Sequence, residues 1–110
     1  MALEVRDVNG VSVVALEGDI DLQSSPAVRQ QLLACFEKNT RVVVDLSAVT
    51  YIDSSGVASL VEAFQVARKK NGTFSLVSVS SAVMRVLSLA RLDRVFTIHP
   101  TIEAATAAQG

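Results

Sequence analysis

Hydroxyl and carboxylate side chains gather at one place in this 110-residue chain, Asp53-Ser54-Ser55-Gly56. The segment lies between a β-branched run and a stretch with helical apolar spacing. A serine in the first turn of a helix faces backbone N–H groups that lack intrahelical partners, at the positive end of the dipole. A phosphate carried there is tolerated by the fold and projects about two negative charges outward. A plainer reading uses the same residues. Asp or Ser before a helix is ordinary N-capping, and Gly56 then only relaxes the helix start. The residues alone leave both readings open.

Other chemistries find little support. His99 is the only histidine and Cys35 the only cysteine, so zinc-ligand spacing is missing. Cys35 belongs to an apolar stripe and reads as small core filler, and His99 as a loop residue before Pro100. A Ser-His-acid arrangement would depend on that one late histidine. No two carboxylates pair on a helix face, and Gly56 stands alone rather than in a phosphate-cradling loop. Neither catalysis, a cofactor nor a metal is expected.

Ten basic and eleven acidic residues leave a net charge of −1. The longest basic run is Arg68-Lys69-Lys70, which offers nucleic acid no electrostatic footprint. Apolar runs such as Val42-Val43-Val44 fall far short of the ~20 residues of a membrane span. The start, Met1 to Asp7, is charged too early for a secretory signal. A lone cysteine fits a reducing compartment. The expectation is a single cytoplasmic α/β domain over residues 1–110.

The elements that must position Asp53 to Gly56 follow from periodicity. Val5 and Val8, then Val11, Val13, Val14 and Leu16, mark two strands joined by an Asn9-Gly10 type I′ turn. The second run is interrupted at Glu17-Gly18-Asp19-Ile20-Asp21. Ser25 is expected to cap a helix with Pro26 at its first position and Val28, Leu32, Cys35 and Phe36 inward. Arg41–Leu46 reads as a strand covered on both faces. Val57, Leu60, Val61, Phe64 and Ala67 stripe a second helix, with Ser59, Glu62, Gln65 and Lys69 on its other side, closed by Asn71-Gly72. A strand from Thr73 to Val79 follows. Ser80 or Ser81 then caps a third helix with Val83, Val86, Leu87 and Ala90 inward. A short strand, Val95–Ile98, and a helix from about Thr101 finish the chain. An opening antiparallel hairpin followed by β-α alternation predicts a mixed sheet packed with about four helices.

With those elements around it, Asp53-Ser54-Ser55-Gly56-Val57 resembles the signature of the STAS family, the domain of anti-sigma factor antagonists and sulfate-transporter tails. Gly18-Asp19-Ile20-Asp21 is similar to the segment after that family's second strand. Val42-Val43-Val44-Asp45-Leu46-Ser47 looks like its central strand, and Ala90-Arg91-Leu92-Asp93-Arg94-Val95-Phe96 like its approach to the last strand. The resemblance runs from about Leu3 to Ala108. It implies a partner-switching module in which Ser55, the serine directly before the glycine, is the phosphoacceptor. Unphosphorylated, the domain would bind a serine-kinase anti-sigma factor of GHKL type. That kinase would use its own ATP and Mg²⁺ to phosphorylate Ser55, and a PP2C-type phosphatase would reset it. The implied partner surface is Asp21, Asp53, Ser54, Gly56, Ala58, Ser59 and Glu62. Asp53 is expected to act as a helix cap. Asp21, with no helical pattern until Ser25, is expected to touch the partner and to leave stability unaffected. The alternative carried by the same resemblance is a non-catalytic STAS subunit of a lipid or anion transport complex, with Ser55 only a cap.

Overall fold

The structure, a computed structural model, describes residues 2–109, so Met1 and Gly110 lie outside it. Strands β1 (Ala2–Val8) and β2 (Val11–Ile20) form the hairpin, in register from Ala2 opposite Glu17 to Val8 opposite Val11. Asn9 and Gly10 take φ of 54° and 81°, the positive values a type I′ turn demands. Helix α1 (Ser25–Lys38), strand β3 (Arg41–Ile52), helix α2 (Ser54–Lys69), strand β4 (Thr73–Val77) and helix α3 (Ser81–Leu89) alternate next. A single 3-10 turn (Leu92–Arg94), strand β5 (Thr97–His99) and helix α4 (Ile102–Gln109) complete the order.

The strands lie in one sheet in sequence order, β1-β2-β3-β4-β5. β1 runs antiparallel to β2, and every later neighbour is parallel. Right-handed crossovers between parallel strands that advance steadily in one direction put α1, α2 and α3 on the same face. Alternation along the strands separates two cores accordingly. Val14, Val42, Val44 and Leu76 pack with Leu32, Leu60 and Leu87 of the three helices. Val13, Val43 and Val77 point to the opposite face, where Ala105 of α4 covers them. The β-branched run is thus buried on both sides, as its composition predicted.

Several boundaries differ from the sequence reading. β3 continues six residues past Leu46, and β2 continues through Gly18 to Ile20. Register shifts between Ala15 and Glu17 and between Gly18 and Asp19 break the two-residue period. The buried positions of the extension are therefore Leu46, Val49 and Ile52, three apart, a spacing that does not read as strand. β4 ends at Val77, because Ser78 adopts φ 50°. The last strand begins at Thr97 rather than Val95, since the Val95 and Phe96 amides both donate to Leu92 O in the preceding turn. Ala90 is an exposed C-cap, not a core residue.

β4 pairs with β3 only along Arg41–Asp45, so beyond it β2 and β3 project as a two-stranded parallel ribbon. Its free edge is partly satisfied by Ser80, whose hydroxyl donates to Val49 O at 2.7 Å instead of capping α3. The ribbon ends at Ile20 opposite Ile52, and the first turn of α2 sits directly on that pair. A Cβ built on Gly56 would lie 2.7 Å from Ile20 Cγ2, 2.7 Å from Ile52 Cγ1 and 3.1 Å from Ile20 O. Gly56 is required by this close approach rather than by any looseness of the helix start. Gly56→Ala should lower unfolding free energy by about 1–3 kcal/mol, the usual penalty of overpacking. Urea denaturation of the two proteins measures it, and equal midpoints would refute the contact.

Candidate functional site

Because Ile20 and Ile52 are paired, the residues that follow them, Asp21 and Asp53, begin adjacent turns, and the Asp53 amide donates to Ile20 O at 3.1 Å. The two aspartates do the same work. Asp53 Oδ1 accepts from the Ser55 and Gly56 amides at 2.9 and 3.2 Å. Asp21 Oδ1 accepts from the Gln23 and Ser24 amides at 3.0 and 3.1 Å. Each carboxylate therefore accepts from the amides two and three residues ahead; for Asp53 this is the N-cap of α2, and for Asp21 it closes the turn that precedes α1. The Ser25 amide already donates to Asp21 O at 2.8 Å, so the first turn before α1 is secured by Asp21. Ser24 flanks α1 without capping it; its hydroxyl accepts from the Asp21 amide at 2.9 Å and donates to Asp19 O at 3.0 Å. Two expectations are corrected here: Ser25 is not the cap, and Asp21 is not free of structural bonds. The signal was present in the sequence as an Ile-Asp pair repeated at positions 20–21 and 52–53.

Asp53 carries a third donor. The Ser55 hydroxyl donates to the same Oδ1 at 2.5 Å. That bond, followed by the Gly56, Ser55 and Leu22 amides, holds the Asp53 carboxyl below its ordinary value despite partial desolvation. A carboxylate so stabilised is a weak base, so Asp53 orients the Ser55 hydroxyl rather than deprotonating it. The helix-start amides expected to be free before Ser55 are also taken, since Asp53 occupies those of Ser55 and Gly56. Ser55 itself is half-buried and Ser54 exposed.

The predicted partner surface divides. Ala58 is exposed beside Ser55. Ser59, expected on the solvent side, is buried at the contact with α1, where its hydroxyl donates to Ser55 O at 3.1 Å and Ser25 O at 3.3 Å. Glu62 is half-buried and paired with Arg29 of α1. Both depart from the outward face because α1 packs along that side of α2, which helical spacing cannot disclose. Gln65 and Lys69, farther along, are exposed as expected. A groove of about 370 Å³ runs between the helices, lined by Pro26, Arg29, Ser55, Ala58 and Glu62 among others. Arg29 was not singled out from sequence, since its place depends on how the helices pair. Two apolar side chains bracket the aspartates, Leu22 at 75% and Tyr51 at 50% exposure. No group of three metal-ligating side chains occurs among the described residues. No helix among them is long and apolar enough to cross a membrane.

A mixed five-stranded sheet with three helices on one face, and a serine hydroxyl locked to a capping aspartate at the tip of its longest strands, defines the class. The chain belongs to the STAS domain family, whose model matches residues 2–105. It is 30% identical, over its whole length and 91% of the relative, to the anti-sigma-F factor antagonist of Mycobacterium tuberculosis. The crystal structure of an anti-sigma factor antagonist from Mycobacterium paratuberculosis is 34% identical over 98% of this chain and 92% of that one, with a TM-score of 0.88. A putative anti-sigma factor antagonist from Thermotoga maritima superposes with a TM-score of 0.90 at 25% identity, covering 97% and 93% of the two chains.

The site yields two expectations. Asp21→Ala should destabilise the protein by about 0.5–2 kcal/mol, as loss of a cap does; an unchanged melting temperature would overturn its structural role. Folding favours ionised Asp53, so its contribution is complete above the ordinary carboxyl value of 3.8 and fades as acid protonates it below that. Asp53→Asn keeps a capping oxygen and should melt with a shallower pH dependence below about pH 4. Parallel acid titrations of stability check the difference.

Proposed function

We propose that this chain, acting as one cytoplasmic domain, is a non-enzymatic anti-sigma factor antagonist that switches partners through phosphorylation of Ser55. Unphosphorylated, it binds a serine-kinase anti-sigma factor of GHKL type and so frees the sigma factor. The kinase supplies ATP and Mg²⁺. The bond from Ser55 Oγ to phosphorus forms as the γ-phosphorus bond to the bridging oxygen breaks, ADP leaves, and the hydroxyl proton passes to a base of the kinase. A PP2C-type phosphatase returns the hydroxyl and inorganic phosphate by hydrolysis.

One observation carries this reading: the Ser55 hydroxyl hydrogen-bonds at 2.5 Å to a carboxylate that already caps α2. A phosphate removes that donor and sets a dianion beside the Asp53 carboxylate, with Asp21 on the adjoining turn. The local charge then changes sharply where exposed Leu22, Tyr51, Ser54 and Ala58 offer a partner both apolar anchors and polar contacts. Like-charge contact at an interface costs several kcal/mol, and 3 kcal/mol weakens affinity about 150-fold. The names of the similar proteins support the antagonist reading over that of a transport-complex subunit.

Incubation with the cognate kinase and ATP should add one phosphate, mapped by mass spectrometry to Ser55, and Ser55→Ala should stay unlabelled. Ser55→Asp should weaken kinase binding by at least tenfold in calorimetry. Labelling that persists in Ser55→Ala would sink the assignment. In the same titrations Leu22→Ala should lose affinity while melting like the parent, because its side chain is mostly in solvent.

A further inference from the structure

The Ser55 hydroxyl leans on Asp53, but a phosphate on it cannot. Asp53 Oδ1 fills the Ser55 and Gly56 amides, and two negative groups cannot share that position. The phosphoryl group must turn away from the strand ends, and the space next to Ser55 is the groove of about 370 Å³ between α1 and α2. Of the side chains lining it, only Arg29 is cationic; Glu62 is the acidic one. The basic residues of α2 begin at Arg68, 13 positions on, about 20 Å along the helix. Asp21 and Asp53 repel the phosphate from the other side.

We propose that Arg29 receives the phosphate on Ser55 and, in doing so, gives up its pairing with Glu62. The proposal rests on the reading of Ser55 as the phosphoacceptor and adds the residue that reads its state. Arg29 and Glu62 keep 53% and 39% of their side chains exposed, but the contacting Glu62 Oε2 is shielded from water, so Arg29 gives up this carboxylate only for a stronger anion. A phosphate dianion offers the guanidinium more charge than a carboxylate, and two of its tetrahedrally disposed oxygens can meet the planar fork together. Glu62 lies seven residues beyond Ser55, about 10 Å along α2. Phosphorylation therefore alters two points of the surface, adding charge at Ser55 and releasing a carboxylate at Glu62. Neither event requires α1 or α2 to move.

The test avoids the kinase. Phosphoserine is installed at position 55 during translation, and its titration is followed by ³¹P NMR, with the Arg29 Nε signal recorded alongside. In the parent, the second phosphate pKa should lie about one unit below its value in Arg29→Gln, at the low end of what an adjacent guanidinium does to an acid. Asp21 and Asp53 push it upward in both proteins alike, so the difference isolates Arg29. Glu62→Gln, which leaves Arg29 without a competitor, should lower it at least as far as in the parent. Identical titrations of the parent and Arg29→Gln would overturn the proposal. If Arg29→Gln fails to fold, the parent decides: an Arg29 Nε signal unmoved by phosphorylation overturns the pairing. Since no kinase takes part, a negative result here leaves partner switching standing, and failure of the kinase experiment leaves this result readable.

Discussion

A single oxygen, Asp53 Oδ1, accepts three hydrogen bonds: from the Ser55 amide, the Gly56 amide and the Ser55 hydroxyl. The start of α2 depends on the first two, and the position of the candidate phosphoacceptor on the third. The helix start and the candidate phosphoacceptor therefore share an atom. The helix start is completed by an ionised carboxylate, which favours the folded state. The hydroxyl is held in one orientation, half-buried, by that same charge. Nothing negative can be added to Ser55 without disturbing this arrangement.

The arrangement stands where it does because two parallel strands end together. Ile20 faces Ile52 in register, and each is followed by an aspartate that begins a turn, Asp53 directly capping α2 and Asp21 leading into α1. Gly56 then lets α2 descend onto the isoleucine pair at a distance that no side chain permits. Extending β2 and β3 beyond β4 carries this tip clear of the rest of the sheet, which exposes Leu22, Tyr51, Ser54 and Ala58 around the serine. Parallel pairing also makes α1 and α2 neighbours on one face. That adjacency joins Arg29 to Glu62 and buries Ser59 between the helices.

Repetition of one device at two strand ends has a consequence for the roles of the aspartates. Asp21 and Asp53 accept from amides at the same spacing, yet only Asp53 caps a helix and holds a hydroxyl at short range. At the other end Ser24 also touches its aspartate, with Oγ 3.2 Å from Asp21 Oδ1, but its hydroxyl donates at 3.0 Å to Asp19 O as well. One serine is therefore spent on the loop, while the other is held by a single acceptor. Two serines beside two aspartates thus differ in hydrogen bonding, not in residue type.

Local pattern was sufficient for much of the molecule. Asn9-Gly10 signalled a tight turn, Val42-Val43-Val44 suited a strand buried on both faces, and Asp53-Ser54-Ser55-Gly56 read as a helix start with a hydroxyl in it, because backbone dihedral preference and apolar periodicity act over a few residues. The family resemblance was legible for the same reason, since it rests on contiguous motifs. What escaped was whatever depended on a second element. The bulges that extend β2 and β3 erase the two-residue period; the solvent side of α2 could not reveal that α1 lies along it; and Gly56 looked permissive until the isoleucine side chains were beneath it. Asp21 looked free of structure because its partners are amides three residues into a turn that has no apolar stripe. Residue types and their spacing determined the elements and the reactive group. Only the tertiary packing of helix on helix and helix on strand end decided which of the nearby side chains face that group, because such contacts join positions some thirty residues apart, as Ser25 O and Ser59 Oγ are.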